Sequence, residues 1–441
     1  MTSFENPVQA EVEVLGEPKV KSPLPSHYFL PKQKRVTMEI PEDLTQTGDG
    51  APDYYTFVES GPRDSIYFDP SKTKCAIVTC GGLCPGVNDV IRAIVMEAHH
   101  QYGVSSVLGI RYGLRGFIPQ FRHDVWELTP ETVRDIHTFG GTILGSSRGH
   151  QSTEEIVDAL ERLNINILFV IGGDGGMKAA QALANEVSQR SKKISVIGIP
   201  KTIDNDIHFI SKSFGFDTAV SKAIESIHCA RTEATGAFNG IGMVKLMGRE
   251  SGFIAAEATL SLKEVNYVLI PEDPFELEGE NGLLNNLRKR LQRRGYAVIV
   301  VAEGAGQDLY FREMGMEGQS ATDASGNPVL GDICDLLQQR IKDYFASLDM
   351  PLTLKFIDPS YIIRSVPANA NDRVYCGLLG QNAVHAAMAG KTNMVVSRLQ
   401  DRYIDLPLDM VTTGRRKINT KSNYWRAVLD STGQPLHLRN E

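Results

Sequence analysis

Four short segments of this 441-residue chain carry residue types suited to handling phosphate. Two of them, Gly81-Gly82-Leu83-Cys84-Pro85-Gly86 and Gly172-Gly173-Asp174-Gly175-Gly176, place paired glycines directly after an apolar run. Glycine lets main-chain N–H groups approach a phosphate, and a helix N-terminus behind such a loop favours negative charge. An aspartate inside the loop, Asp174, suits Mg²⁺, which takes oxygen ligands and bridges to phosphates. Either segment by itself is equally a tight strand-to-helix turn; two in one chain favour phosphate binding. The third, Pro200-Lys201-Thr202-Ile203-Asp204-Asn205-Asp206, sets two carboxylates two positions apart beside a lysine and a threonine. An aspartate so placed can accept a proton from an attacking hydroxyl while its neighbours orient that hydroxyl. In the fourth, Met247-Gly248-Arg249-Glu250-Ser251-Gly252, an arginine can spread its charge over a transferring phosphoryl group. Taken singly, the third also reads as a capped loop and the fourth as a surface ion pair. The G-x-G-x-x-G dinucleotide pattern is absent, and Gly390-Lys391-Thr392 fails as a Walker loop because His385 holds the upstream glycine position.

The elements that must position these segments are visible as apolar runs at 76–79, 107–110, 167–171, 196–199, 241–246, 267–270 and 297–302. Continuous apolar strands of this length suit parallel sheets covered on both faces. Helix-like stretches at 153–163 and 177–190 lie between them, and the alternation predicts an α/β architecture. In open α/β sheets ligands bind beyond the carboxyl ends of strands, which is where all four segments fall. Residues 1–70 are polar and proline-rich, with Pro23, Pro25, Pro31, Pro41, Pro52 and Pro62, and read as an extended arm that wraps the body or a partner subunit. The last 30 residues carry Arg415, Arg416, Lys417, Lys421 and Arg426 and read as a solvated tail rather than a binding patch.

At roughly 100–200 residues per domain, the length predicts two or three domains. With 42% hydrophobic and 22% charged residues, long disorder is excluded for most of the chain. Forty-six basic against 53 acidic residues give a net charge of −7, which argues against a broad nucleic-acid footprint and leaves room for a local basic pocket. No run of 18 apolar residues occurs, so no membrane span is expected, and the first residues lack the basic and apolar regions of a secretory signal. A cytoplasmic location is the expectation. The six cysteines, Cys75, Cys80, Cys84, Cys229, Cys334 and Cys376, are expected as reduced thiols rather than a metal site.

Residues 74–400 resemble a phosphofructokinase. The carriers are GGLCPG at 81–86, GGTILGSSRG at 140–149, IGGDGG at 171–176, PKTIDND at 200–206, MGRESG at 247–252, AEGAG at 302–306 and YIIR at 361–364. They stand in the family's order and spacing. NAD kinases and lipid kinases share the GGDG loop but are not known for PKTIDND or MGR. The resemblance implies two Rossmann-like domains with mostly parallel sheets and an active site in the cleft between them. A nucleotide-side domain would span 71–215 with a return segment at 363–410, and a sugar-phosphate-side domain 216–362 with the C-terminal segment 411–441. The implied reaction is phosphoryl transfer to the 1-hydroxyl of fructose 6-phosphate in glycolysis, in an allosteric, cytoplasmic homo-oligomer, dimer or tetramer, with Mg²⁺ as cofactor.

By the same resemblance, Asp204 is the general base, with Thr202 and Arg249 completing the catalytic group. Gly82, Arg148, Gly149, Gly173, Asp174, Gly175 and Gly176 bind ATP, and Asp174 holds the metal. Thr202, Ile203, Asp204, Met247, Gly248, Arg249, Glu303, Lys355, Tyr361 and Arg364 bind the sugar phosphate. The donor turns on positions 175 and 201. The pyrophosphate-using branch is expected to carry Asp and Lys there, and bacterial ATP enzymes glycine at both. Gly175 with Lys201 resembles the ATP enzymes of plants and trypanosomes, because a carboxylate at 175 would repel the α-phosphate of ATP. The alternatives are a pyrophosphate-dependent phosphotransferase and a non-catalytic regulatory subunit; Asp174, Asp204 and Arg249 together argue against the second. Departures from the family pattern are Leu114 for tyrosine, Gly176 for serine or threonine and Ala179 for glycine, all on the nucleotide side. A fourth is Gly240, where short bacterial enzymes carry an arginine reaching from the neighbouring subunit.

Overall fold

Three largely apolar strands side by side set the frame of the first half of the computed structural model, which describes residues 8–25, 29–39, 54–316, 322 and 328–440. The strand Ile167–Gly172 is buried at every position and pairs in parallel with Lys74–Thr79 on one side and Ser195–Pro200 on the other. Such burial on both faces is why the sequence runs apolar without alternation. In register, Ile171 faces Thr79 and Gly172 faces Pro200. The segments that follow the three strands therefore leave the same edge of the sheet. The Cys80 N–H donates to the Ile171 carbonyl at 2.8 Å and the Lys201 N–H to the Gly172 carbonyl at 2.8 Å, so pairing continues one residue into each loop.

These strands belong to a unit made of Met1–Thr202, Ile207–Gly215 and Ser365–Arg415. Its sheet runs in the order Val8–Ala10, Tyr54–Glu59, Arg402–Pro407, Met394–Leu399, Ser195–Pro200, Ile167–Gly172, Lys74–Thr79, Ser106–Ile110, Val125–Glu127, with Arg35–Glu39 also pairing Tyr54–Glu59. Within the stretch read as an extended arm, Val8–Ala10, Arg35–Glu39 and Tyr54–Glu59 add strands to this sheet, while Glu13–Val14 pairs Lys391–Thr392 and Val20–Lys21 pairs Ser65–Ile66. The physical reason is visible at Phe57, which is wholly buried, with Val36 and Ala10 packed in the same core. Pro41 and Pro52 of that stretch lie outside the described residues. The helix Thr153–Arg162 is capped by Ser152, whose hydroxyl accepts from the Glu155 N–H at 3.2 Å, and it turns Ile156, Val157 and Leu160 inward.

The second unit comprises Ile203–Asp206, Phe216–Arg364 and Arg416–Glu441. Four parallel strands, in the order Tyr267–Leu269, Tyr296–Ala302, Gly240–Leu246, Thr353–Ile357, form its sheet. The helix Phe216–Thr235 lies so close to the strand Gly240–Leu246 that a Cβ at Gly240 would run into the Ala234 carbonyl and one at Gly242 into that of Ala230. Position 240 consequently has no room for any side chain. The C-terminal region departs from the solvated tail expected of it. Its helix Asn423–Thr432 buries Trp425, Val428 and Leu429, spaced three and four apart, and each such burial contributes roughly 1.5–3 kcal/mol. No helix among the described residues is long and apolar enough to cross a membrane.

Candidate active site

On the first unit, the loop after Lys74–Thr79 turns sharply into the helix Val87–Met96. Gly86 makes this turn at φ +98°, and a Cβ there would stand 2.5 Å from the Cys376 sulfur. Only glycine fits both the dihedral and the space. Two residues on, the buried Asn88 side chain accepts from the Ile143 N–H at 3.0 Å and donates to the Phe139 carbonyl at 3.2 Å. Thr79 donates to the Gly145 carbonyl at 2.6 Å, and Ser146 donates to the Gly81 carbonyl at 2.6 Å. The 140–149 segment is thereby tied to the 81–86 loop, and it carries the exposed Arg148 and the half-buried Gly149, the latter at φ +94°.

The sequence expectation places a loop at 172–176 and a helix from 177. The helix instead begins at Asp174 and runs to Gln189, with Gly173 before its first turn. Gly175 and Gly176 enter that turn because their N–H groups need no intrahelical acceptor there. The first intrahelical bond runs from the Met177 N–H to the Gly173 carbonyl at 2.9 Å, so the earlier N–H groups are available to an anion. A Cβ at Gly172 would meet the Gly176 Cα at 2.9 Å, whereas one at Gly175 would meet nothing within 4 Å. Asp174 is the first helical residue. Its Oδ2 pairs with Lys178 Nζ at 3.0 Å and with an Arg415 guanidinium nitrogen at 3.4 Å.

Lys201, buried, donates from Nζ to the Gly82 carbonyl at 2.5 Å and so links the third strand end to the first loop. Thr202 accepts at its carbonyl from Ser213 Oγ at 2.7 Å. The chain then passes to the second unit. Asn205 adopts φ +56°, a left-handed conformation asparagine tolerates better than most residues, between Asp204 and the buried Asp206. Ser251 donates to the Asp204 carbonyl at 3.1 Å, and the Arg416 N–H donates to that of Asp206 at 2.8 Å.

The rest of the second unit's site is built at the ends of Gly240–Leu246 and Tyr296–Ala302, whose registers align Leu246 with Ala302. The Glu303 N–H bonds the Leu246 carbonyl at 2.9 Å and the Gly304 N–H that of Gly248 at 3.1 Å, which locks the 247–249 and 302–304 segments together. A Cβ at Gly248, itself at φ +132°, would stand 2.5 Å from the Ser251 carbonyl oxygen. Burial pushes the Glu303 carboxyl above its usual range, while Lys245, Arg249 and Arg364 pull it back down. One Arg249 guanidinium nitrogen donates to the Pro328 carbonyl. Arg364 lies over the Tyr361 ring at 5.2 Å, and that ring is 75% exposed.

The sequence model of the family described as Phosphofructokinase matches residues 74–387. The chain belongs to the phosphofructokinase family. It is 46% identical over 443 residues to an ATP-dependent 6-phosphofructokinase of Borreliella burgdorferi, covering 98% of each chain. It is 50% identical over 383 residues to ATP-dependent 6-phosphofructokinase 1 of Arabidopsis thaliana, covering 87% of this chain and 80% of that one. Among solved structures, a pyrophosphate-dependent phosphofructokinase from Marinobacter aquaeolei matches with a TM-score of 0.66 at 20% identity, over 82% of this chain and 91% of that one. That likeness is one of fold.

Most of the residues singled out in the sequence fall at strand ends or loops of one unit or the other. Gly82, Gly173, Asp174, Gly175, Gly176, Lys201 and Thr202 sit on adjoining strand ends of the first unit. Ile203, Asp204, Met247, Gly248, Arg249, Glu303, Tyr361 and Arg364 belong to the second. Lys355 is different: it is exposed and pairs with Glu233 at 3.9 Å rather than joining the group around Glu303. Leu114 packs against the first unit's core. Sequence reasoning missed Lys178, which the i,i+4 spacing from Asp174 could have revealed, and it misjudged Arg415. No group of three His, Cys, Asp or Glu side chains able to hold a metal occurs among the described residues. All six cysteines are free thiols, and only Cys229 is exposed.

Proposed function

We propose that this chain is an ATP-dependent 6-phosphofructokinase, which moves the γ-phosphoryl group of ATP to the 1-hydroxyl of fructose 6-phosphate and yields fructose 1,6-bisphosphate and ADP. The observation that carries the donor assignment is the open space at Gly175, in the first turn of a helix whose leading N–H groups have no intrahelical acceptor. A nucleotide polyphosphate can pass that position without meeting a side chain, and the helix N-terminus favours its charge.

In this reading Asp204 takes the proton from the 1-hydroxyl as its oxygen attacks the γ-phosphorus, and the bond from that phosphorus to the bridging oxygen of ADP breaks. Thr202 and Ile203 line the sugar. Arg249 offsets the charge on the transferring group. Glu303, held among Lys245, Arg249 and Arg364, accepts from sugar hydroxyls, and Arg364 with Tyr361 grips the 6-phosphate. Gly82, Arg148, Gly149 and the 173–176 turn hold the donor phosphates. Phosphoryl transfer asks for positioning and positive charge more than covalent work from the protein.

Asp174 fits Mg²⁺: it offers a hard oxygen donor beside N–H groups suited to phosphate, and Mg²⁺ bound to a polyphosphate needs only one or two protein carboxylates. When bound, the ion neutralises charge on the donor oxygens. Asp174 Oδ2 pairs with Lys178 and Arg415 in this structure, and a metal would share the carboxylate with those cations. We place the enzyme in the cytoplasm as a homo-oligomer.

Lys201 favours a second reading, a pyrophosphate donor. Its ammonium is buried and directed at the Gly82 carbonyl of the donor loop, where it would serve a short polyphosphate equally well. One experiment separates the two. Purified chain is assayed for fructose 1,6-bisphosphate formation with Mg²⁺ and either ATP or pyrophosphate. Turnover with ATP is expected; turnover with pyrophosphate alone overturns the donor assignment.

A further inference from the structure

The charged group closest to Asp174 from outside its own helix is Arg415, 241 positions further along the chain. How it arrives there is over-determined. The short helix Leu408–Thr412 lies against Asp174–Gln189, and Thr412 Oγ1 donates to Gln181 Oε1 at 2.9 Å. The following residues run along His208, whose Nδ1 lies 3.2 Å from the Met410 carbonyl oxygen and 3.3 Å from the Thr413 hydroxyl. Arg415 itself forms an antiparallel bridge with Ile207, and on the next residue the Arg416 N–H holds the Asp206 carbonyl. Its main chain is thus pinned to the segment that follows Asp204, and its side chain reaches back 3.4 Å to Asp174. Only 25% of that side chain is exposed, against 57% for Lys178, the other cation on the same carboxylate.

Lys178 is an exposed i,i+4 neighbour, a pairing worth little. Arg415 is more buried, more constrained, and carries a planar fork of N–H donors that matches two oxygens at once. One of its nitrogens, Nη2, donates to Asp174 Oδ2. A guanidinium held beside a helix N-terminus that is itself suited to phosphate is chemically a polyphosphate ligand. We propose that Arg415 is a donor-site residue, which orients the Asp174 carboxylate and supplies charge to the donor polyphosphate. The inference rests on the reading that Asp174 marks the donor side. It makes the 408–415 segment, which sequence reasoning assigned partly to a solvated tail, a structural wall of the donor site.

The test uses the full-length chain and isothermal titration with MgATP, Mg-pyrophosphate and fructose 6-phosphate separately. Arg415→Met removes the charge and keeps the main-chain bridge to Ile207. Loss of a charge-assisted contact predicts that MgATP binds roughly tenfold to a hundredfold more weakly, with fructose 6-phosphate affinity changed by less than about twofold. Arg415→Lys should recover part of the loss. If Arg415→Met binds MgATP within about twofold of the parent, or loses sugar-phosphate affinity to the same degree, the proposal is wrong. Should the methionine variant misfold, Arg415→Lys and Arg415→Gln with parental melting temperatures carry the same comparison. A parent that binds pyrophosphate and not ATP refutes the ATP reading alone, and Arg415 is then judged on pyrophosphate by the same ratio.

Discussion

Gly175 offers a way to separate what the fold wants from what the ligand wants. In the first turn of Asp174–Gln189 a glycine carries the entropic cost of its backbone freedom, about 0.5–1 kcal/mol relative to alanine. A Cβ built there meets nothing within 4 Å, so no clash offsets the gain. Gly175→Ala should therefore stabilise the protein by about 0.5–1 kcal/mol and raise its melting temperature by roughly 1–3 °C. The same methyl group occupies space that the donor needs, so KM for ATP should rise while KM for fructose 6-phosphate stays put. Gly175→Asp sharpens the test. A helix N-terminus tolerates the added carboxylate, by about 0.3–1 kcal/mol in its favour. A polyphosphate charge at about 4 Å is opposed by up to roughly 4 kcal/mol at an effective dielectric of 20, or a factor of about a thousand in affinity. Thermal melts without ligand and steady-state assays with ATP read both effects. A lower melting temperature for Gly175→Ala would show that the space is not open, and an unchanged KM for ATP in Gly175→Asp would show that the donor does not pass this residue.

Asp204→Ala should lower turnover by roughly 10²–10⁴ with substrate binding largely kept, measured by an aldolase-coupled assay; a near-normal rate removes Asp204 as the base. Gly86→Ala combines a strained left-handed dihedral, about 1–2 kcal/mol, with overpacking against Cys376, about 1–3 kcal/mol, and its denaturation midpoint should fall accordingly. The third concerns Glu97 and His385, whose carboxyl oxygen and Nε2 lie 3.6 Å apart in the first unit's interior. Burial pushes the Glu97 carboxyl up to about 7 and the His385 imidazole down to about 4. As pH falls through about 7, folded Glu97 takes up a proton that the unfolded chain does not, so stability rises; below the ordinary histidine value of 6.5 the unfolded chain protonates His385 and the folded one does not, an opposite slope that cancels the gain from Glu97 and levels the curve. Denaturant unfolding across pH 5–8 should show a rise on lowering the pH from 8 that levels off near 6.5, and Glu97→Gln should remove the rise and leave a fall below about 6.5.

What was legible in the sequence was what is local. Strands such as Ile167–Gly172 are apolar at every position because both faces are covered, and that pattern needs no partner to be seen. Loops at the ends of such strands carry their chemistry in contiguous residues, so 81–86, 172–176 and 200–206 announced themselves. What stayed hidden depends on pairing at a distance. Tyr54–Glu59 joins the first sheet by meeting Arg402–Pro407, two short segments more than 300 positions apart that look unremarkable singly. The tight approach at Gly240 is likewise a property of a helix laid over a strand, so the residue read only as a missing arginine. The start of the helix at Asp174 was misplaced for another reason: glycine lowers helix propensity, but a first turn has few intrahelical bonds to weaken and that penalty is tolerated there.

The same division bears on how an acidic chain handles an anionic substrate. With a net charge of −7, the protein as a whole repels ATP, and beyond a Debye length of about 8 Å at physiological salt that repulsion is largely screened. Attraction has to be generated within contact range. On the first unit the groups proposed for it are Lys178, Lys201 and Arg415, set beside the carboxylate Asp174 and the Gly82 carbonyl, with the leading N–H groups of a helix adding partial positive charge. Two of these three cations come from strands and straps far from the glycine loop in sequence. In the proposed reading the glycines make room and the distant cations supply the charge. A variant that fills the room and one that removes the charge should therefore fail differently: the first keeps its dependence on salt with weaker donor binding, and the second loses that dependence along with its affinity.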